Sequence, residues 1–247
     1  MRIAIISDIH EDIIHLQQAF IKLNKIKYDK MVCLGDISGY GIYNAPFFEK
    51  RNAHECLDLV KKNSETIVLG NHDLQAVRKI PQHIGSFNYP ENWYALDYYE
   101  KTKLSGRELW LYEDELDPLY THNDIQFLNQ QQEFQIESYD GMNYLFSHYA
   151  FPNLTGSMRK FNFDAEDYTS HFEFMEKHNC RYSFIGHEHA NGLLIIRQNK
   201  VIEKKFTRFG LTDSPAIIVS PAIVSGKKRS GFLIFDTDSL EIEAIKI

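Results

Sequence analysis

The chain lacks an excess of positive charge: 27 lysines and arginines stand against 34 aspartates and glutamates, a formal charge of −7. That balance argues against a nucleic-acid partner, because phosphate backbones are held by clustered cations. No apolar run is long enough to span a membrane, and Met1-Arg2-Ile3-Ala4-Ile5-Ile6 turns acidic at Asp8, too soon for a signal peptide. Cysteine is scarce. Cys33, Cys56 and Cys180 are scattered without metal-type spacing, so buried free thiols in a reducing cytoplasm are expected. There is no Gly-rich phosphate loop, which counts against a regulatory nucleotide-binding module, and no internal repeat or low-complexity segment. What remains is an ordinary globular composition, 43% hydrophobic and 25% charged, over 247 residues.

Residues 2–7 are a short β-branched apolar run, read as a buried strand. Asp12 then suits an N-cap for a helix whose face is Ile13, Leu16, Ala19, Phe20, Leu23 and Ile26. Met31-Val32-Cys33-Leu34 is a second buried strand, closed by Gly35-Asp36. Asn52 and Glu55 stand at capping-box spacing before a helix over about 53–63. Thr66-Ile67-Val68-Leu69 is a third strand, ending at Gly70-Asn71-His72-Asp73. This alternation predicts an α/β fold opening on a parallel sheet.

Residues 74–130 break the rhythm. They are rich in Tyr and Trp, carry the acidic run Glu113-Asp114-Glu115, and show helical spacing over 91–103 and 122–130, with Asn123 a candidate cap. A helical insertion over one end of the sheet is expected, its aromatics packed between helices. Tyr139-Asp140-Gly141 predicts a hairpin joining 134–139 to 143–147. Ala165, Tyr168, Phe172 and Met175 mark a helix before a strand over 181–185. A hairpin of 193–197 with 201–206 and the runs 216–220, 231–235 and 240–246 complete a second, antiparallel-looking sheet. The expected architecture is two sheets with helices outside, in a single domain over 1–247 that carries 74–130 as a cap.

The strand ends carry the chemistry. In order they present Asp8 and His10, Asp36, Asn71 with His72, His148, and then His187 and His189. Ligands in open α/β sheets bind beyond the carboxyl ends of the strands, and imidazole is the commonest metal ligand. Seven N/O donors, apart from His72, are too many for one tetrahedral zinc. They suit two metals sharing a carboxylate bridge. Two divalent cations against two carboxylates leave a positive site that draws in a phosphate dianion. A water between two cations loses its proton far more easily than in bulk, which supplies a hydroxide for in-line attack on phosphorus. His15, His54, His83, His122, His171 and His178 lie away from strand ends, and most are expected at the solvated surface. Glu188, between the two metal-type histidines, is expected to point away to the surface.

The blocks Ser7-Asp8-Ile9-His10, Gly35-Asp36, Gly70-Asn71-His72-Asp73, Ser147-His148 and Gly186-His187-Glu188-His189 closely resemble the calcineurin-like metallophosphoesterase superfamily in order and spacing. The resemblance covers about residues 1–190 and implies a two-sheet α/β sandwich with a dinuclear site. By family role Asp8, His10 and His189 would hold one metal, and Asn71, His148 and His187 the other. Asp36 would bridge them, and His72 would contact the phosphate and assist proton transfer. Mixed N/O ligation suits Mn, Fe, Zn, Co or Ni.

Several departures narrow the substrate class. No arginine follows Gly35-Asp36, which counts against the protein phosphatases and dinucleoside tetraphosphatases, whose second block carries one. Gly39-Tyr40-Gly41 instead looks like a branch of small bacterial and archaeal phosphoesterases, often labelled phosphodiesterases. Residues 42–52, including Asn44-Ala45-Pro46-Phe47-Phe48, look inserted relative to that branch. Ser220-Pro221-Ala222-Ile223 replaces its usual Asn-Pro-Gly-Ser turn, and Tyr149 stands where a glycine usually follows the histidine, which would narrow the site. The resemblance implies a small phosphate-ester substrate, a monoester or a diester, hydrolysed by a metal-activated hydroxide. The rival from another class is a catalytically silent scaffold on the same fold. Such scaffolds typically lose ligands, whereas this chain keeps all seven and His72.

Overall fold

A computed structural model describes residues 1–43, 47–85, 87–224, 226 and 229–247. The chain opens with β1 (Arg2–Ile6), α1 (Ile13–Leu23), β2 (Lys30–Cys33), β3 (Tyr40–Gly41), α2 (Ala53–Asn63) and β4 (Thr66–Ile67). The Asp12 side chain accepts the His15 N–H at 3.1 Å and starts α1, and Asn52 accepts the Glu55 N–H at 3.0 Å and starts α2. β1, β2 and β4 pair in parallel, with Ile5 opposite Val32 and Val32 opposite Thr66. Only the first half of the expected 66–69 strand is regular; Val68 makes an isolated bridge to Gln132. Of the 42–52 segment, residues 44–46 lie outside the described residues. Arg51 from the same segment pairs with buried Glu11 at 3.3 Å.

The ligand block at 70–73 itself starts a helix, α3 (Asn71–Val77), which the sequence pattern did not reveal. Next come α4 (Tyr98–Ser105), β5 (Glu115–Leu116) and α5 (His122–Gln130). The helix expected over 91–103 is displaced. Residues 93–95 make only a 3-10 turn, and α4 begins after Asp97, whose carboxylate and that of Glu100 exchange N–H bonds. Likewise Thr121, not Asn123, caps α5, because Thr121 and Asp124 satisfy each other's backbone N–H. Ile84, Trp93 and Leu109 form a small separate core here, so most of the aromatic content is packing as expected. Residues 74–130 are tied back to the opening strands by β5, which pairs antiparallel with β3.

The remainder is β6 (Phe134–Tyr139), β7 (Met142–Ser147), α6 (Thr169–Lys177), β8 (Cys180–Ile185), β9 (Leu193–Arg197), β10 (Lys200–Lys204), β11 (Arg208–Gly210), β12 (Ala216–Val219), β13 (Gly231–Asp236) and β14 (Glu241–Lys246). Two six-stranded sheets result, ordered β11-β14-β13-β1-β2-β4 and β10-β9-β12-β8-β7-β6. This corrects the expected second sheet. β13 and β14 join the first sheet, with β13 antiparallel to β1, and the second sheet is mixed, β8 lying parallel to both β7 and β12. β13 is buried along nearly its whole length, and such a run does not disclose its partner.

Between the sheets Ile3, Ile5, Val32 and Leu34 meet Phe146, Phe184 and Ile218. Fully burying each such side chain contributes about 1.5–3 kcal/mol. α1 and α2 cover the outer face of the first sheet, and α6 covers that of the second. Cys33, Cys56 and Cys180 are buried and free, as expected. His171 is not at the surface. It lies wholly buried on α6, accepting the Phe151 N–H at 2.8 Å, with Nε2 2.8 Å from Ser183 Oγ. Burial pushes its pKa down to about 3, so the ring is neutral.

Candidate metal centre

The predicted ligands converge where β1, β2, β4, β7 and β8 end. Asp8, His10, Asp36, His187 and His189 all adopt left-handed backbone, with φ of 54°, 47°, 53°, 65° and 48°. Such conformations cost non-glycine residues about 1–3 kcal/mol each and concentrate at functional sites. Backbone bonds hold them: Asp8 N to Gly35 O at 3.0 Å, His10 N to Asp36 O at 2.9 Å, and Gly186 N to His148 O at 2.9 Å. The Ser220-Pro221-Ala222-Ile223 turn takes part despite its sequence, since Ile223 N donates to Ser7 O at 2.9 Å and Val224 N to Asp8 O at 3.0 Å.

Beneath the ligands lies Asp73, wholly buried. Its Oδ2 accepts the N–H groups of Asp36 at 2.7 Å and Gly70 at 3.2 Å, and its Oδ1 accepts that of Ser38 at 2.9 Å. Gly70 leaves room for the bridging candidate, because a Cβ there would sit 2.0 Å from Asp36 Oδ1. Gly156 does the same for His187, whose Nδ1 would be 2.5 Å from an added Cβ.

Three overlapping groups each bring one donor atom per residue within 4.8 Å of the others: Asp8, His10 and His189; Asp36, His148 and His187; and His10, Asp36 and His72. Asp36 Oδ2 is central, 2.9 Å from His148 Nε2 and 3.9 Å from both His10 Nε2 and His72 Nε2. Its other oxygen accepts the His72 N–H at 3.0 Å. Asp8 Oδ1 lies 3.4 Å from His189 Nε2 and 3.9 Å from His148 Nε2. A further group, His54, Asp58 and Asp124, lies on α2 and α5. There the Asp124 Oδ2 is already engaged by Thr121 and His54.

The donor set fits divalent cations. His10 Nδ1 is 3.0 Å from Gly39 O and His148 Nδ1 is 2.8 Å from Leu34 O, contacts that place a proton on each Nδ1. In the neutral rings Nε2 is then a bare lone pair. The two lone pairs point at His189 Nε2, at 3.1 Å, and at the Asp36 carboxylate. Each pair needs either a cation between its members or a proton on one of them. Asn71 Oδ1 is buried with no partner at hydrogen-bond geometry, as is His148 Nε2. Burial would raise the Asp8 and Asp36 carboxyls, yet the surrounding imidazoles, His189 for Asp8 and His148 for Asp36, hold both well below the usual range. Burial pushes His10 and His187 down to about 3. It also acts on His148, but the Asp36 carboxylate outweighs it and pushes that ring up to about 9.

His72 stands at the edge of this centre. Its ring meets His10 edge-on at 4.8 Å and Tyr112 at 5.1 Å, and its Nδ1 is in direct contact with Glu115 Oε1. Burial lowers its pKa, but Glu115 and then Asp36 outweigh that and push it up to about 10. Tyr149 and Phe161 wall the other side, 4.7 Å and 5.0 Å from the His187 ring, with Phe161 stacked on it. Tyr149 is itself buried, its hydroxyl accepting the Asn162 N–H at 2.7 Å. Glu115, Tyr112 and Phe161 escaped the sequence reading. The acidic run containing Glu115 was visible, but nothing in its spacing tied it to His72. Glu188 departs from expectation too: it is half-buried and its Oε1 accepts the Tyr168 hydroxyl.

A two-sheet α/β sandwich with these side chains gathered at its strand ends is the fold of a metallophosphoesterase. A family model for calcineurin-like phosphoesterases matches residues 1–191, and the chain belongs to that family. The structure resembles a metallophosphoesterase from Sphaerobacter thermophilus with a TM-score of 0.69 at 20% identity, covering 100% of this chain and 88% of that one. It resembles the hypothetical protein PH1004 from Pyrococcus horikoshii OT3 with a TM-score of 0.61 at 12% identity, covering 100% and 87%. In sequence it is 23% identical over 259 residues to the uncharacterized protein MJ0912 of Methanocaldococcus jannaschii, covering 99% of this chain and 86% of that protein.

Proposed function

We propose that the protein is a dinuclear metal-dependent phosphoesterase that hydrolyses a phosphomonoester or phosphodiester bond in a small substrate. The observation that carries this reading is that Asp36 stands between the two groups: its Oδ2 lies 2.9 Å from His148 Nε2 on one side and 3.9 Å from His10 Nε2 on the other. Asp8, His10 and His189 would hold one divalent cation, Asn71, His148 and His187 would hold the other, and Asp36 would serve both. Mn, Fe, Zn, Co and Ni all suit these donors. Cations held there would supply a water of lowered pKa and neutralise charge on the phosphoryl oxygens.

The chain's own residues do the rest. Gly39 and Leu34 carbonyls fix the tautomers of His10 and His148, so that both present Nε2 inward. His72 directs Nε2 toward the same space and donates a proton to the leaving oxygen as its bond to phosphorus breaks. Tyr149, Phe161 and Tyr112 exclude water from the flanks. Residues 74–130 act as a cap within a single domain over 1–247, and their reach over His72 favours small substrates. No helix among the described residues is long and apolar enough to cross a membrane. With three buried free thiols, a cytoplasmic location fits.

The test is metal analysis of the purified protein together with turnover of a panel of p-nitrophenyl mono- and diesters. Two metals per chain with hydrolysis of at least one ester class support the reading. Two metals per chain with no turnover of any ester would favour a scaffold instead.

A further inference from the structure

We infer that Glu115, from the insertion, is the positioning residue of His72: its carboxylate holds the Nδ1 proton and so keeps Nε2 aimed at the substrate phosphoryl group. This rests on the phosphoesterase reading for its catalytic consequence, but the contact itself is independent of it.

Glu115 is not a loose surface acid. Only 11% of its side chain is exposed, and Oε1 is in direct contact with His72 Nδ1. Its backbone is fixed from three directions. Glu115 pairs with Gly41 across β3 and β5, its N–H donates to Tyr112 O at 3.3 Å, and the adjoining Asp114 O accepts the Ile42 N–H at 2.9 Å. β3 follows directly on Gly39, where φ is 103° and an added Cβ would lie 2.5 Å from the His72 ring. His72 therefore sits in a slot with Gly39 beneath, Tyr112 on its edge and Glu115 at the Nδ1 end. The Nε2 end is left facing Asp36 Oδ2 at 3.9 Å and the space between the ligands.

The chemistry explains why an acid is tolerated there. A lone carboxylate beside a phosphate site would repel the substrate. Capped by the His72 Nδ1–H it is shielded from the phosphate, and the ring's Nε2 end is left free. In the step itself a P–O bond forms to the attacking hydroxide and the ester P–O bond breaks. The leaving oxygen takes the Nε2 proton, and the ring remains neutral with Nδ1–H on Glu115. Water returns the lost proton before the next turnover. An imidazole whose Nδ1 partner is removed can turn over about its ring bond or exchange tautomers, and either event aims the wrong atom.

The experiment compares wild type with Glu115→Ala, Glu115→Gln and, as a control on the same acidic run, Glu113→Gln. Nitrogen-15 NMR of the histidine rings reads the His72 protonation pattern, and kcat and KM are measured for p-nitrophenyl phosphate and phenyl phosphate. Wild type and Glu113→Gln should show a protonated Nδ1 on His72, and Glu115→Ala should lose it, at unchanged metal content. On the poor leaving group phenoxide, Glu115→Ala should lower kcat about 10- to 100-fold with KM little changed. The loss on p-nitrophenoxide, which needs no proton, should be much smaller. Glu115→Gln, which keeps an acceptor but no charge, should fall between. A His72 spectrum unaltered by Glu115→Ala overturns the proposal, and so does an equal loss on both esters, which marks a merely structural contact. If wild type hydrolyses neither ester it is not a monoesterase, and the NMR comparison alone decides whether Glu115 holds His72.

Discussion

Asp73 accepts the backbone N–H of Asp36 at 2.7 Å, and through the N–H of Gly70 at 3.2 Å it joins the loop of that candidate bridging ligand to the loop that carries Asn71. One buried carboxylate outside the candidate ligand set thus sets the distance between the two strand ends. Replacing it by asparagine turns an amide NH2 toward backbone N–H donors. Asp73→Asn should therefore destabilise the fold by about 1–3 kcal/mol and weaken metal retention, as read by denaturant melts and metal analysis. Unchanged stability would show that the loops are held some other way.

Gly70→Ala tests the space around the bridge. Its φ of −92° is available to alanine, so backbone strain is not the issue. The added methyl would meet Asp36 Oδ1 at 2.0 Å. The expected outcome is a loss of about 1–3 kcal/mol in stability from overpacking, and reduced metal content by elemental analysis, since Asp36 must move.

His171 gives a pH prediction away from the metal ligands. Its folded-state pKa is lowered to about 3 by burial, against about 6.5 for an unperturbed histidine. Between these values the unfolded chain binds the extra proton, so stability rises with pH. The contribution is complete above about pH 6.5 and falls by about 1.4 kcal/mol per pH unit as acidity increases toward 3. NMR should show the His171 ring neutral and untitrating from pH 8 down to 4.5. A midpoint near 6.5 would mean that the helix face is open to water.

Much of this site was legible in the sequence because metal chemistry restricts residue types and strands place them. Asp8, Asp36 and His148 each stand one small residue past an apolar run, and the structure brings all three together. What stayed hidden depended on pairings that leave no periodic trace. β3 and β5 are two residues each, yet their pairing is what carries Glu115 to His72. β13 was assigned to the wrong sheet because a buried run of Phe232, Leu233, Ile234 and Phe235 fits the centre of either. His171 looked like a surface residue because its partners, the Phe151 N–H and the Ser183 hydroxyl, lie on other elements. α3 is too short for its hydrophobic spacing to announce it.

Asp36 is expected to join two metal sites. Anomalous diffraction from crystals grown with Mn(II), for wild type and Asp36→Asn, decides this. Two peaks are expected in wild type flanking the Asp36 carboxylate, one against Asp8, His10 and His189 and the other against Asn71, His148 and His187, with both weakened in Asp36→Asn. A single peak away from Asp36, or two peaks of undiminished strength in Asp36→Asn, would contradict it.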